Sequence, residues 1–260
     1  MTQPNIEERV HREKLSHDKD SVLENAQTLK GIFCHVMESP SMRRCEREED
    51  QYLTEVAGLK VLDIGCGFGT QSIALAQKGA RVCGIDISEK YVSAAKAMTV
   101  ERGLAIDMCE FKVMDAHKLE FPEKYFDLVV GRGILHHLDL HTALLQIKRV
   151  LKQSGRAIFL EPLAANPLLK LFRLLTPRAR TVDEKPLTPA DLDWISREWH
   201  VHSSYFGLIS APAAMVTSIV LRPFPNNMFL KMADTLEEKV NKSVFFQKYN
   251  QYVLLNLVKK

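Results

Sequence analysis

Net charge is nearly absent from these 260 residues: 35 Lys and Arg stand against 32 Asp and Glu, a balance of +3. A dedicated nucleic-acid binder normally carries a basic stripe, so no nucleic-acid partner is expected. Paired cysteines are missing too. The five cysteines, at 34, 45, 66, 83 and 109, form no C-x-x-C pair, which excludes a zinc knuckle and a thioredoxin-like motif. Such a set fits free thiols in a reducing cytosol; a cytoplasmic location and no bound metal are expected. The opening MTQPNIEERVHREKLSHDKD is charged throughout, so no secretory signal is expected. A long apolar run is approached once. Val201 to Leu221 holds no Lys, Arg, Asp or Glu, nearly the length of a membrane span. His202, four serines, Gly207 and Pro212 interrupt it. It reads as a buried strand followed by a buried helix, or as an interfacial surface for a lipophilic ligand. There is no repeat and no low-complexity tract. What is present, 46% hydrophobic and 26% charged residues, is the composition of an ordinary globular protein. The length suits one large domain or two small ones.

Residues 1–57 read as two or three polar-to-amphipathic helices. Then short apolar runs begin to alternate with helical patterns. Lys60–Ile64, Arg81–Ile85, Glu110–Met114, Phe126–Val130 and Arg156–Leu160 read as five buried strands. Between them lie helices at Thr70–Lys78, Glu89–Arg102 and Asp139–Lys152, with Ser88 as an N-cap and Gly79 and Gly103 as stops. Gln153-Ser154-Gly155 reads as the turn into the fifth strand. Asn166-Pro167 and Thr188-Pro189 look like N-caps followed by proline at the first helical position. Trp199–Phe206 and Gln251–Val258 read as strands six and seven, with helices near 212–221 and 226–243 between them. This order implies an α/β fold: a doubly wound, mostly parallel seven-stranded sheet. An N-terminal helical cap occupies 1–57 and the core 58–162. The remainder, 163–260, belongs to the same domain, with a helical insertion at about 208–245 and the final strand. Ligands in such sheets sit at the carboxyl ends of the strands.

The segment Val61-Leu62-Asp63-Ile64-Gly65-Cys66-Gly67-Phe68-Gly69-Thr70 joins the first strand to a helix through a glycine loop. Its spacing is G-x-G-x-G, not the G-x-G-x-x-G of a dinucleotide site. Asp63, two residues before the first glycine, would repel pyrophosphate and welcome an ammonium group. Asp86, at the end of the second strand, can accept both hydroxyls of a ribose, and Asp115 after the third can accept from an adenine amine. The implied ligand joins an adenosine to an amino-acid zwitterion.

These residues resemble the class I S-adenosylmethionine (SAM) methyltransferases, and within them the small-molecule group that includes ubiquinone and menaquinone methyltransferases. The resemblance covers about residues 55–162 and rests on DIGCGFG, Asp86, Asp115-Ala116 and the fourth-strand segment Tyr125–Leu138. It implies a Rossmann-like fold with SAM as cofactor. Asp63 would hold the methionine ammonium, directly or through water. Gly65, Cys66, Gly67 and Gly69 would form the loop around the methionine part. Asp86 would bind the ribose, Ile87 would pack on the adenine, and Asp115 and Ala116 would flank its edge. Arg132 and Gly133 would border the methyl group, with Arg132 turned to an acidic substrate or to solvent. Asp127 would tie strand to helix.

Methyl transfer from a sulfonium needs alignment first, and a base only if the acceptor must lose a proton. His136 and His137, after the fourth strand, and Glu161, at the end of the fifth and directed to the pocket mouth, are the candidates. The N-terminal helices would close the site, with His17 and Tyr52 along the lid. Leu168–Arg180 pairs apolar residues with Lys170, Arg173, Arg178 and Arg180; it would touch a membrane surface peripherally or form a dimer interface. The expected function is methyl transfer from SAM to a small, possibly lipophilic, O, C or N acceptor, by a monomer or homodimer. The alternative is a SAM-binding regulator or scaffold without transferase activity. An oxidoreductase is disfavoured by the glycine spacing. An amino methyltransferase for bases or glutamine is disfavoured because an Asn/Asp-Pro-Pro-Tyr motif is missing.

Overall fold

The computed structural model describes residues 6–17, 28, 31–105, 107–175 and 184–260. Arg178 and Arg180 lie outside the described residues, as do the side chains of His17 and Arg173.

Three helices come first, α1 (Ile6–His17), α2 (Cys34–Glu38) and α3 (Pro40–Tyr52). The alternating core follows: β1 (Lys60–Ile64), α4 (Thr70–Gln77), β2 (Arg81–Asp86), α5 (Glu89–Glu101), β3 (Cys109–Val113), β4 (Phe126–Arg132), a short 3₁₀ turn (Leu135–His137), α6 (Leu140–Val150) and β5 (Leu151–Pro162). The rest is α7 (Pro167–Leu175), α8 (Pro189–Glu198), β6 (Trp199–Phe206), α9 (Ser210–Val220), α10 (Met228–Val240), α11 (Val244–Gln247) and β7 (Tyr252–Lys259).

The strands form one seven-stranded sheet in the order β3-β2-β1-β4-β5-β7-β6. The pairs from β3 through to β5 are parallel, and β7 runs antiparallel to both β5 and β6. Continuous apolar runs suit strands covered on both faces. Leu62, Ile64, Val129 and Phe159 pack to one side with α6 and Trp199. Val61, Val82, Leu128 and Ile158 pack to the other with Ile73, Leu75 and Cys45. Alternation along β1 therefore sends Asp63 towards α4, where Ser72 meets it.

The start of the fifth strand differs most from the sequence reading. The Gln153–Gly155 turn is absorbed into β5, whose pairing with β4 shifts register between Phe126↔Leu151 and Leu128↔Arg156. The intervening residues form an irregularity of the kind that bends an edge without ending a strand. At the other end, α9 and α10 pack against the N-terminal helices. The buried His35 of α2 meets Thr217 Oγ1 at 3.0 Å through Nδ1 and the Arg222 carbonyl at 3.0 Å through Nε2. Glu237 of α10 accepts from Ser41 Oγ of α3 at 2.6 Å. The two ends of the chain thus build one helical layer.

Candidate active site

A pocket opens at the carboxyl ends of β1, β2, β3 and β4. Gly65 and Gly67 follow β1, Asp86 and Ile87 end β2, Met114 to His117 follow β3, and Gly133, Ile134, His137 and Leu138 follow β4. Tyr91 of α5 completes the wall, and Arg9, Val10 and Glu13 of α1 cover it. Crossover topology makes this the rim where consecutive loops converge.

Gly65 has φ +67°, and a Cβ there would meet Ile134 Cδ1 at 2.6 Å. Only glycine lets the loop approach the segment after β4 so closely. Gly69 has φ +79° and would place a Cβ 2.7 Å from Phe111 Cζ and 2.9 Å from Ala95 Cβ. It packs the start of α4 against the sheet and is absent from the pocket wall. The Gly67 N–H donates to Asp86 Oδ2 at 3.0 Å, and the Ser88 N–H to Asp86 Oδ1 at 2.9 Å. These two bonds fix the carboxylate at the rim.

Asp63 lies beneath the glycine loop, 2% exposed, outside the pocket wall. It accepts from Ser72 Oγ at 2.5 Å. Burial raises its pKa to about 7, with the negative charge of Asp86 adding to that; the Ser72 hydrogen bond and the Arg132 charge oppose it. A carboxyl so poised gains when a cation arrives nearby. Cys66 is buried in the core. Burial pushes its thiol far up, so the loop contributes backbone at that position.

Asp115 is held by His117, whose backbone N–H and Nδ1 lie 2.9 and 2.6 Å from Asp115 Oδ1. His117 Nε2 accepts from the Asp139 N–H at 2.8 Å, so Nδ1 carries the ring proton. Burial works against the Asp115 charge, but the His117 contacts outweigh it and leave the carboxyl below its usual value. Ala116 and Ile87 line the same part of the pocket.

Several side chains sit elsewhere than their place in the sequence suggests. Arg132 keeps nearly half of its side chain open to solvent, while its Nε donates to Glu49 Oε1 at 2.8 Å and its Nη2 to Glu49 Oε2. The buried Glu49 of α3 supplies a fork for the guanidinium, tying the cap to the end of β4. Glu161 is fully buried and does not reach the pocket mouth. It accepts from the N–H groups of Ile134 (2.9 Å), Leu135 (2.9 Å) and His136 (3.4 Å), and from His136 Nδ1 at 2.8 Å. The converging donors of the 3₁₀ turn draw it inwards. His136 is consequently buried behind the wall, while His137 lines it. Tyr52 faces His202 and the core rather than the pocket. Asp127 sits far from the rim, bonded to Lys60 N at 3.0 Å and Lys152 Nζ at 2.6 Å.

Sequence reasoning missed Arg9, Glu13, His117 and Tyr91 in the wall. Glu13 Oε2 lies 3.3 Å from His137 Nδ1, a contact across more than a hundred residues that leaves no local motif. His117, two residues after Asp115, is the one that spacing alone could have offered.

Residues 62–159 match the family described as "Methyltransferase domain". A curated relative, ubiquinone biosynthesis O-methyltransferase of Stutzerimonas stutzeri, is 33% identical over 157 residues, covering 57% of this chain and 66% of that protein. The chain spans just under two thirds of the length of this relative. Two solved structures share the fold. YcgJ protein from Bacillus subtilis has a TM-score of 0.56 at 20% identity, covering 83% of this chain and 99% of its own. Geranyl diphosphate C-methyltransferase from Streptomyces coelicolor, solved with Mg²⁺, geranyl diphosphate and S-adenosylhomocysteine, has a TM-score of 0.58 at 15% identity, covering 84% and 82%.

Proposed function

We propose that this protein binds SAM in the pocket at the β1–β4 rim and methylates a small-molecule hydroxyl acceptor. The observation that carries this reading is the pair of carboxylates around the glycine loop. Asp86 is held at the rim by the Gly67 N–H, and the buried Asp63 beneath it has its pKa raised to about 7. A pyrophosphate would add negative charge to this corner, whereas the ammonium of a methionine relieves it. Gly65 and Gly67 would face the methionine part, with Asp63 acting through the loop, and Arg9 would offer its guanidinium to a carboxylate. Asp86 would accept the ribose hydroxyls. Ile87, Asp115 and Ala116 would enclose the adenine.

When bound, SAM supplies an electrophilic methyl group. The chain's own residues align the acceptor, exclude water beneath α1 and receive its proton. His137 is the proton acceptor we favour, because it lines the pocket and has Glu13 at 3.3 Å to stabilise the charged ring. Glu161 and His136 shape the turn that presents it. The test is incubation with methyl-labelled SAM and fractionated metabolite extracts. A methylated product with S-adenosylhomocysteine supports the reading. SAM binding without any product would favour a regulator or scaffold.

A lipophilic acceptor at an anionic membrane surface fits the helical layer. Val216, Ile219, Phe224, Met228, Phe229 and Met232 are each more than half exposed, and Arg222, Lys231, Lys239 and Lys242 are exposed among them. Apolar residues interleaved with cations suit anionic headgroups. Among the described residues, no helix is long and apolar enough to cross a membrane, so the contact would be peripheral. Flotation with anionic liposomes tests it, and a concentration-dependent dimer that ignores liposomes would assign the face to self-association.

A further inference from the structure

We propose that His136, His137 and Glu184 form a binding site for one divalent transition-metal ion of the zinc class, beside the acceptor end of the pocket. One side-chain donor from each residue lies within 4.8 Å of the others. The supporting shell is already built. Glu161, fully buried, takes three backbone N–H groups and sits 2.8 Å from His136 Nδ1. As the acceptor in that contact, it places the ring proton on Nδ1. The other nitrogen, Nε2, is then left with a lone pair, and it points at Glu184 Oε1 across 3.9 Å. Two acceptors face each other there at a separation too long for a hydrogen bond. A cation between them resolves the conflict, and two metal–ligand bonds of about 2.1 Å span up to about 4.2 Å. A carboxylate that orients a histidine through its far nitrogen is the usual outer arrangement of a metal-bound imidazole.

The Glu184 segment is strapped in place, since the Lys185 N–H donates to the His136 carbonyl at 2.8 Å. His137 adds the second imidazole and also lines the pocket, so an ion bound here would adjoin the acceptor. Two imidazoles with a carboxylate select borderline ions such as Zn²⁺ or Co²⁺ over Mg²⁺. Three protein ligands leave a position open, and an acceptor hydroxyl placed there would be acidified by the metal; in the metal-loaded chain Glu13 or solvent takes its proton in place of the metal-bound His137. This deepens the proposed function by naming what would activate the acceptor oxygen, and it rests on that reading.

The experiment loads the metal-stripped full chain with Co²⁺ and Zn²⁺. Expected are visible ligand-field bands for Co²⁺, one ion per chain by native mass spectrometry, and displacement of the bands by Zn²⁺. Glu184→Gln, on a partly exposed segment, should weaken Zn²⁺ binding at least tenfold with unchanged thermal stability of the metal-free protein. Glu161→Gln, a positioning change, should weaken it by about 10–100-fold and alter the cobalt spectrum. SAM binding is measured by calorimetry on the same samples. SAM binding without stoichiometric metal uptake, or uptake unaffected by Glu184→Gln, overturns the metal site alone. Failure to bind SAM overturns the reading of the pocket.

Discussion

Glu237 and Asp63 are both buried carboxylates, yet their surroundings make them opposites. Glu237 of α10 accepts from Ser41 Oγ, from the Gly207, Ile209 and Ser210 N–H groups and from Ser210 Oγ, all between 2.6 and 2.9 Å. Burial raises its pKa, but these donors outweigh burial and hold it below the ordinary value. It joins α3 and the start of α9 and is satisfied as it stands. Asp63 has Ser72 Oγ, feels the like charge of Asp86, and is raised to about 7. Full satisfaction marks a carboxylate that holds the fold. A carboxylate left short of donors beside a second one marks a place where a cation belongs.

The largest effect should come from Glu237→Ala, which strands several buried donors. We expect a loss of about 3–5 kcal/mol, read from urea unfolding. Because the folded pKa is depressed, the contribution of Glu237 is present above its unfolded pKa and is lost as pH falls through the folded value. Asp63 has the opposite sign. Its contribution is present below 3.8 and lost as pH rises to about 7. The ceiling is about 4 kcal/mol from three pKa units. Asp63→Asn should therefore flatten the decline in melting temperature between acid and neutral pH, while weakening SAM binding. An unchanged slope would place the raised acid elsewhere and break the contrast.

His137→Ala should lower turnover by about 10²-fold with little change in SAM affinity, and a normal rate in that variant would remove His137 as proton acceptor. Asp86→Ala should weaken SAM binding by about 1.5–3 kcal/mol through lost charged hydrogen bonds, measured by calorimetry. The smallest effect is expected at the helical face. Lys231→Glu should reduce binding to anionic liposomes by roughly fivefold or more and leave folding untouched.

The alternating core was legible because its buried strands are short apolar runs, four of them closed by glycine or aspartate. Trp199–Phe206 and Pro189–Glu198 begin and end where the sequence places them, since Thr188 caps one helix with its own side chain. The Gln153–Gly155 turn was misread, because a run of turn-prone residues also serves a strand that bulges while its partner continues. Glu161 was misplaced for a related reason. Its position at a strand end suggested the pocket mouth, but the direction of the side chain depended on where three backbone N–H groups gathered.

Local pattern thus settled the succession of strands and helices along the chain, the glycine loop and the acidic residues behind it, because period and turn chemistry act between near neighbours. Folding in three dimensions settled which charges meet. Glu49 with Arg132, Glu13 with His137, and Glu184 with His136 are brought near one another across long stretches of chain. Such pairings depend on how layers pack, and no short-range periodicity records that.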